Sequence, residues 1–169
     1  MTLNALWQAL EASPIGDYVA SSSWAFPTIE TLHVLAIVTV LGTIVVMDLR
    51  LLGLASTDSK VTAMSKDTLR WTWGAFIVAA ITGTLLFVSK ATSYAVNPNF
   101  IIKMVLIAVA GVNMGVFHAF TWKTVEEWDA DPVLPRAAKI AGGLSLALWV
   151  IIVFYARAIG FTLDLYNTN

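Results

Sequence analysis

The sequence contains no cysteine and little charge, and both shortages narrow what the chain can be. Without cysteine there is no disulfide, thiolate metal site or catalytic thiol. Charged residues make up 12% of the 169 residues, about half the share of a soluble domain. The formal net charge of −1 gives no reason to expect nucleic acid as a partner. Because hydrophobic residues reach 58% and the mean hydropathy is +0.77, the composition predicts an integral membrane protein.

Long uncharged stretches predict transmembrane helices. A helix needs roughly 20 mainly apolar residues to cross a bilayer. Stretches at 71–89, 104–122 and 140–156 come close to this length, and a shorter one at 34–47 reaches it when extended upstream to Pro27. That extension places Glu30 and His33 inside the first helix. We therefore predict a single membrane domain over residues 1–169, with spans at about 27–53, 69–92, 100–122 and 136–161.

The segments outside the spans predict how the helices connect. Asn-Pro within 96–99 favours a tight turn, which makes the second and third spans an antiparallel hairpin, whereas 54–68 and 123–136 are polar loops. Within 2–13, apolar residues recur at helical spacing and predict an amphipathic helix on the membrane surface: Leu3, Leu6, Trp7 and Leu10. The predicted fold is all-α, an integral membrane four-helix up-and-down bundle with an N-terminal interfacial amphipathic helix.

The distribution of Lys and Arg predicts the orientation in the membrane. Seven lie near one side and three near the other. The first set is Arg50, Lys60, Lys66, Arg70, Lys123, Arg136 and Lys139, and the second is Lys90, Lys103 and Arg157. Because positive loops stay in the cytoplasm, both termini are expected in the periplasm of a bacterial inner membrane. No cleavable signal peptide is evident.

Ionisable and polar groups inside the spans are the candidate functional residues. Each charged group there costs roughly 2.5–3.5 kcal/mol on insertion scales, so it needs a role or a partner. Glu30 and His33 share a helix face and are expected to turn inward, toward Lys103 and Arg157. The candidate polar network comprises Lys103, Asn113, Asp48, Arg50, Asn97 and Arg157. A structural ion cluster and a functional site both remain open.

The chain has two histidines, His33 and His118, which are candidate ligands of a metal or haem. They are expected at depths roughly 18 Å apart, too far for one iron ion. Met47 follows His33, and Met104 precedes His118, by about four helical turns each. This interval resembles that between the ligands of dihaem membrane cytochromes b. Histidine with methionine is a known axial pair for haem iron, so His33 with Met104 and Met47 with His118 could each hold haem b.

Several other functions are compatible with these residues. Glu30 and His33 could supply half of a Cu or Zn site. Glu30, His33, Lys103, Asn113 and His118 could instead line a proton or ion path in a small transporter or channel. A structural accessory subunit of a membrane complex is the third alternative. No hydrolase, nucleotide-binding or metalloprotease motif stands out, so hydrolase and nucleotide-binding functions lack support, and an enzyme is the less favoured interpretation.

A redox function would also require partners. Besides the lipid bilayer, we expect a periplasmic redox protein or a quinone to exchange electrons with the bound haem. A homodimer with its axis along the membrane normal would bring His33 opposite His33 of the second chain, and likewise His118.

Four short motifs resemble those of a group of bacterial inner-membrane proteins classed as a domain of unknown function. They are ETLH at 30–33, DLRLLG at 48–53, NPNFIIK at 97–103 and NMGVFH at 113–118. The resemblance implies a four-helix membrane fold but no particular activity. It draws attention to Glu30, His33, Asp48, Arg50, Asn97, Lys103, Asn113 and His118, and it does not require methionine at 47 or 104.

Overall fold

The computed structural model describes residues 2–131, 133–163 and 165–166. Of the described residues, 85% are helical and none lies in a strand. The helices are α1 (Leu3–Glu11), α2 (Pro14–Ser21), α3 (Ala25–Leu52), α4 (Val61–Ser89), α5 (Ala91–Val96), α6 (Pro98–Val116), α7 (Val125–Trp128) and α8 (Arg136–Thr162).

Four helical segments of the described chain are long and apolar enough to cross a membrane. They are Ala25–Leu52, Val61–Ser89, Pro98–Trp128 and Arg136–Thr162. The expectation of an all-helical membrane protein with four apolar helices is therefore confirmed.

The helices extend further into the polar segments than the sequence indicated. Residues 61–68, expected in a loop, form the first two turns of α4. This segment contains neither Gly nor Pro, and its first turn is capped from elsewhere: the Thr62 amide donates to Asp129 Oδ1 over 2.7 Å. The connection shortens to 53–60, where Gly53 ends α3 with φ of +75° and its amide donates to Arg50 O.

The N-terminal segment forms two short helices where one was expected. Ser13 caps α2 by accepting from the Gly16 amide over 3.1 Å, and Pro14 occupies the first turn, where its missing N–H costs nothing. Gly16 is buried so closely against the end of α1 that a Cβ there would lie 2.6 Å from Glu11 O. Pro14 and Gly16 therefore start a second helix and do not simply end the first.

The segment after α6 departs from α-helical geometry. Residues Phe117–Thr121 form a π-helical turn, and Trp122–Thr124 form a 3-10 turn before α7 begins. A π-helical turn widens the hydrogen-bond ring and often occurs at functional sites. His118 lies within it.

The chain divides into two compact units, and the first comprises the described residues of 1–38, 75–103 and 154–169. Aromatic rings pack its helices together: Phe87 stacks on Phe100 at 5.4 Å and meets Trp7 edge to face at 5.6 Å, centroid to centroid. Glu11 accepts hydrogen bonds from the Thr92 amide and hydroxyl, which fastens α1 to the start of α5.

The second unit comprises residues 39–74 and the described part of 104–153. Its apolar core joins α3, α4, α7 and α8 with the π-helical turn. The buried members are Leu51, Val61, Phe117, Val125, Trp128, Leu134 and Ala138. Because these residues come from the helix ends and loops, the loops are packed parts of the unit.

Candidate functional site

His33 is half-buried on α3, with its ring directed at α4. Its Nδ1 lies 3.0 Å from Thr82 Oγ1. The Thr82 hydroxyl donates its own proton to Val78 O over 2.7 Å, so its oxygen can only accept from the imidazole. The neutral ring therefore carries its proton on Nδ1. A backbone hydrogen bond to Ala79 also involves the ring. With the proton on Nδ1, Nε2 carries a lone pair.

A glycine allows the His33 ring to approach α4 so closely. A Cβ added at Gly83 would lie 2.9 Å from His33 Cε1, closer than real Cβ contacts. Gly74, on the same helix, has open space at the corresponding position. The ring of His33 thus fits against α4 only because residue 83 has no side chain.

His118 is exposed on the π-helical turn. Its Nδ1 lies 2.9 Å from Met114 O. A carbonyl oxygen can only accept, so Nδ1 again carries the proton, and Nε2 is left with a lone pair. The ring stands edge-on to Phe117 at 5.4 Å and lies 5.5 Å from Trp122 at a tilt of 30°. These aromatic neighbours fix its orientation.

The two histidines therefore share one arrangement although they lie in different units. In each, an acceptor holds Nδ1–H, and Nε2 remains available as a ligand or a proton acceptor. Metal-ligating histidines almost always donate their other N–H to such an acceptor, which fixes the tautomer and the ring orientation.

Glu30 forms no ion pair among the described residues, although its charge and that of Lys103 both act on His33. Glu30 is exposed, and so is Arg157, whose guanidinium lies 4.6 Å from the Phe161 ring centre. Lys103 is half-buried, with Nζ 4.9 Å from the Phe100 ring centre. Both cations, Lys103 and Arg157, therefore lie over aromatic rings and not beside a carboxylate.

The rotation of α3 explains why Glu30 turns away. The buried stripe of this helix runs through Ala36 and Val40. Glu30 lies six residues before Ala36. At 100° per residue, its side chain therefore points roughly 120° away from that stripe. His33 lies three residues before Ala36, so its side chain points only about 60° away and stays at the edge of the buried stripe.

Asp48 and Arg50 are buried more deeply than boundary residues, with exposed fractions of 6% and 0%. They do not pair with each other. Ser145 on α8 lies beside the Asp48 carboxyl group, whereas Arg50 Nε donates to Ser59 O over 2.9 Å. Asp48 Oδ2 and both Nη atoms of Arg50 are buried without a hydrogen-bond partner.

The two asparagines of the candidate network have structural partners. Asn97 is fully buried and caps α6, its Oδ1 accepting from the Asn99 amide over 2.9 Å, while Nδ2 donates to Thr162 Oγ1. Asn113 Nδ2 donates to Ala141 O over 3.0 Å. Both therefore tie α6 to another helix.

The candidate methionine ligands lie in different settings. Met47 packs against the apolar core of the second unit, which includes Phe117. Met104 is 48% exposed on α6. His118 contacts Phe117, Trp122 and Met114.

No group of three or more His, Asp or Glu residues that could hold a metal ion occurs within the described ranges. Glu30 and His33 would need further ligands from outside these residues to complete a Cu or Zn site.

Several partners of the candidate residues had no signal in the sequence. Thr82, Gly83 and Ser145 look like ordinary small residues of apolar helices, and only the packing of α4 and α8 against α3 gives them their roles. Comparison with family models, curated proteins and solved structures gives no match. The site is therefore interpreted from its geometry.

Proposed function

We propose that this protein is a membrane electron-transfer subunit that binds haem b through Nε2 of His33 and Nε2 of His118. The supporting observation is the ring arrangement that the two histidines share, with Nδ1–H held by an acceptor and Nε2 available. A haem iron takes one or two axial ligands from the protein and changes oxidation state by one electron. The chain's part is to hold and orient the imidazoles.

Haem suits this chain better than a bare metal ion. A structural Zn or Cu ion needs three or four protein ligands, and no such group is found among the described residues. Haem brings its own four nitrogen ligands, so one histidine can anchor it. Because His118 is exposed, a second chain or a partner would cover its haem, and Met47 and Met104 remain candidates for second axial ligands.

The proposed setting is a bacterial inner membrane, with an up-and-down bundle and both termini in the periplasm. In this setting α1 lies at the membrane surface, where its exposed Leu3 and Leu6 would enter the headgroup region. A periplasmic redox protein or a quinone would exchange electrons with the haem.

Optical spectroscopy tests the proposal. Purified protein, supplied with haem during expression, should show a Soret band that shifts on reduction. His33→Ala and His118→Ala should each remove part of the band, and the double variant should remove all of it. Met47→Leu and Met104→Leu test the second ligands, with Met64→Leu on α4 as the matched control.

A colourless preparation after haem supply would contradict the proposal. So would a Soret band that survives in the double histidine variant. Folding of each variant is checked by circular dichroism and size exclusion, so that loss of haem is distinguished from loss of structure.

A second candidate function rests on the same observation, since an available Nε2 accepts a proton as well as a metal. In a small transporter or channel, His33 and His118 would act with Glu30 and Lys103 as a proton or ion relay. Proteoliposomes should then take up an ion in response to a proton gradient, and His33→Ala should abolish the uptake. A colourless protein without transport would leave the role of a structural accessory subunit.

A further inference from the structure

The guanidinium group of Arg50 is a buried positive charge that uses little of its hydrogen-bonding capacity. It lies near the end of α3, and its exposed fraction is 0%. Nε donates to Ser59 O over 2.9 Å, but Nη1 and Nη2 are buried without a hydrogen-bond partner. A guanidinium keeps its charge in proteins, and a buried charge without a counter-charge is costly. Both Nη atoms therefore need an acceptor, and an anion is the acceptor that also compensates the charge.

The N-terminus of α4 lies beside this guanidinium. Ser59, which accepts from Nε, is two residues before Val61, the first residue of α4. The first amides of a helix have no acceptor within the helix and carry a partial positive charge, so they attract anions. Lys60, exposed between Ser59 and Val61, adds a second full positive charge. This end of α4 therefore has the donors and the charge of an anion site.

A carboxylate of the same chain occupies only part of this site. Asp129 accepts from the Thr62 amide over 2.7 Å and from the Thr62 hydroxyl over 2.8 Å. The charges of Lys60 and Arg50 both act on it, yet neither Nη atom of Arg50 has a hydrogen bond to it. One carboxylate thus caps the helix and leaves the guanidinium without a partner.

A phosphate group has enough oxygens to bind both parts of the site. Phosphate accepts two parallel hydrogen bonds from an arginine, and it also accepts from the amides at a helix N-terminus. The groups that lie in front of the site belong to exposed or partly exposed loop segments: residues 56–60 are exposed, and Asp129 is partly exposed. Access to Arg50 therefore requires movement of Ser59 and Asp129 but no separation of the long helices.

We propose that Arg50, Lys60 and the first turn of α4 form a binding site for a phosphate group, and that Asp129 is an internal ligand which phosphate displaces. Two phosphate oxygens accept from Nη1 and Nη2 of Arg50, and a third replaces the Asp129 carboxylate at Thr62. No covalent bond forms or breaks. The phosphate of a lipid headgroup and a free phosphate ion share this chemistry. The site is independent of haem binding.

Calorimetric titration of the full chain in an uncharged maltoside detergent, at constant ionic strength, tests the site with two probes. The probes are inorganic phosphate and a short-chain phosphatidic acid. Binding of either at the site supports the proposal: phosphatidic acid alone identifies a lipid headgroup as the ligand, and inorganic phosphate identifies a free ion. Binding of neither probe would overturn it.

Two asparagine variants test whether Asp129 competes with phosphate. Asp129→Asn replaces the charged internal ligand with a weaker neutral one and should tighten binding by roughly tenfold. Asp131→Asn removes an equal charge at an exposed position two residues away and should leave the affinity unchanged. Equal tightening in both variants would show only a general effect of charge and would contradict displacement of Asp129.

Substitutions of the two cations test the donors. Arg50→Lys keeps the charge but loses the planar pair of donors, so binding should weaken by roughly tenfold. Lys60→Gln should weaken it as well, whereas Lys66→Gln, exposed on α4, is the matched control and should not. Because Lys60 is exposed, this pair keeps the test decisive if Arg50→Lys does not fold. Binding that is equally strong in Lys60→Gln and Lys66→Gln would place the phosphate elsewhere and overturn the proposal.

Discussion

The position of the His33 ring depends on a single hydrogen atom at residue 83. A Cβ at Gly83 would lie 2.9 Å from His33 Cε1, and the ring's Nδ1–H is held by Thr82, the preceding residue of α4. The two residues act together, because one provides the space and the other the acceptor. Because Nδ1–H is held in this way, Nε2 is the ring nitrogen that remains available as a ligand.

Alanine substitutions at two glycines of α4 separate this fit from helix propensity. Gly74→Ala meets nothing within 4 Å and should stabilise the helix by about 0.5–1 kcal/mol. Gly83→Ala must displace the imidazole, and such overpacking costs about 1–3 kcal/mol. Thermal unfolding in detergent should therefore rank Gly74→Ala above the unsubstituted protein and Gly83→Ala below it. Equal stability of the two variants would show that the ring does not occupy this space.

The sequence was enough to identify the candidate residues, but not to predict which groups surround them. His33, His118, Asp48 and Arg50 could be identified because ionisable groups are costly in apolar helices. Which way each one faces could not be predicted, since the rotation of a long apolar helix depends on the small residues of its neighbours. Glu30 illustrates this: it shares a face with His33 on α3, yet it is exposed.

Among the helices, α4 shows how a distant segment sets where an element begins. Asp129 accepts from the Thr62 amide over 2.7 Å and from the Thr62 hydroxyl over 2.8 Å, and its own carbonyl accepts from the Val61 amide. One carboxylate thus caps α4 and connects two loops. The apolar core of each long helix was predictable from hydropathy, but such a cap from a remote residue was not.

This cap predicts a dependence of stability on pH. Partial burial would raise the pKa of Asp129, but the hydrogen bonds from Thr62 and the charges of Lys60 and Arg50 outweigh it and hold that pKa below its usual value. A lowered pKa means that the stabilisation is fully present above the unfolded value of about 3.9 and is lost as the pH falls through the folded value. The free energy of unfolding is therefore measured from about pH 6 to about pH 3, a range that includes the unfolded pKa and extends below it.

Two asparagine variants isolate the contribution of this carboxylate. Asp129→Asn keeps one acceptor oxygen for Thr62 and loses the other, so it should lower the free energy of unfolding at pH 6 by about 0.5–1.5 kcal/mol, the usual net contribution of one hydrogen bond. It should also flatten the fall of that free energy in acid, because the titrating group is gone. Asp131→Asn, two residues away and exposed, serves as the matched control and should change neither. An acid profile that is identical in Asp129→Asn and in the unsubstituted protein would contradict the role of the cap.

For the chain as a whole, the proposed membrane orientation follows from its Lys and Arg residues, and the absence of cysteine makes it simple to test. Ser23→Cys and Asp58→Cys each introduce one thiol at an exposed position before α3 or after it. In intact spheroplasts, a membrane-impermeant maleimide should label Ser23→Cys but not Asp58→Cys. Labelling of both should follow permeabilisation. The reverse pattern would place the 53–60 loop outside the cell.

The central claim is that both imidazoles carry their proton on Nδ1 and present Nε2. The chain has only two histidines, so ¹⁵N-histidine labelling gives two ring systems in a long-range ¹H–¹⁵N NMR spectrum. In the haem-free protein at mildly alkaline pH, both rings should show the cross-peak pattern of the neutral Nδ1–H tautomer. A ring with its proton on Nε2, the tautomer favoured in water, would contradict the account for that histidine.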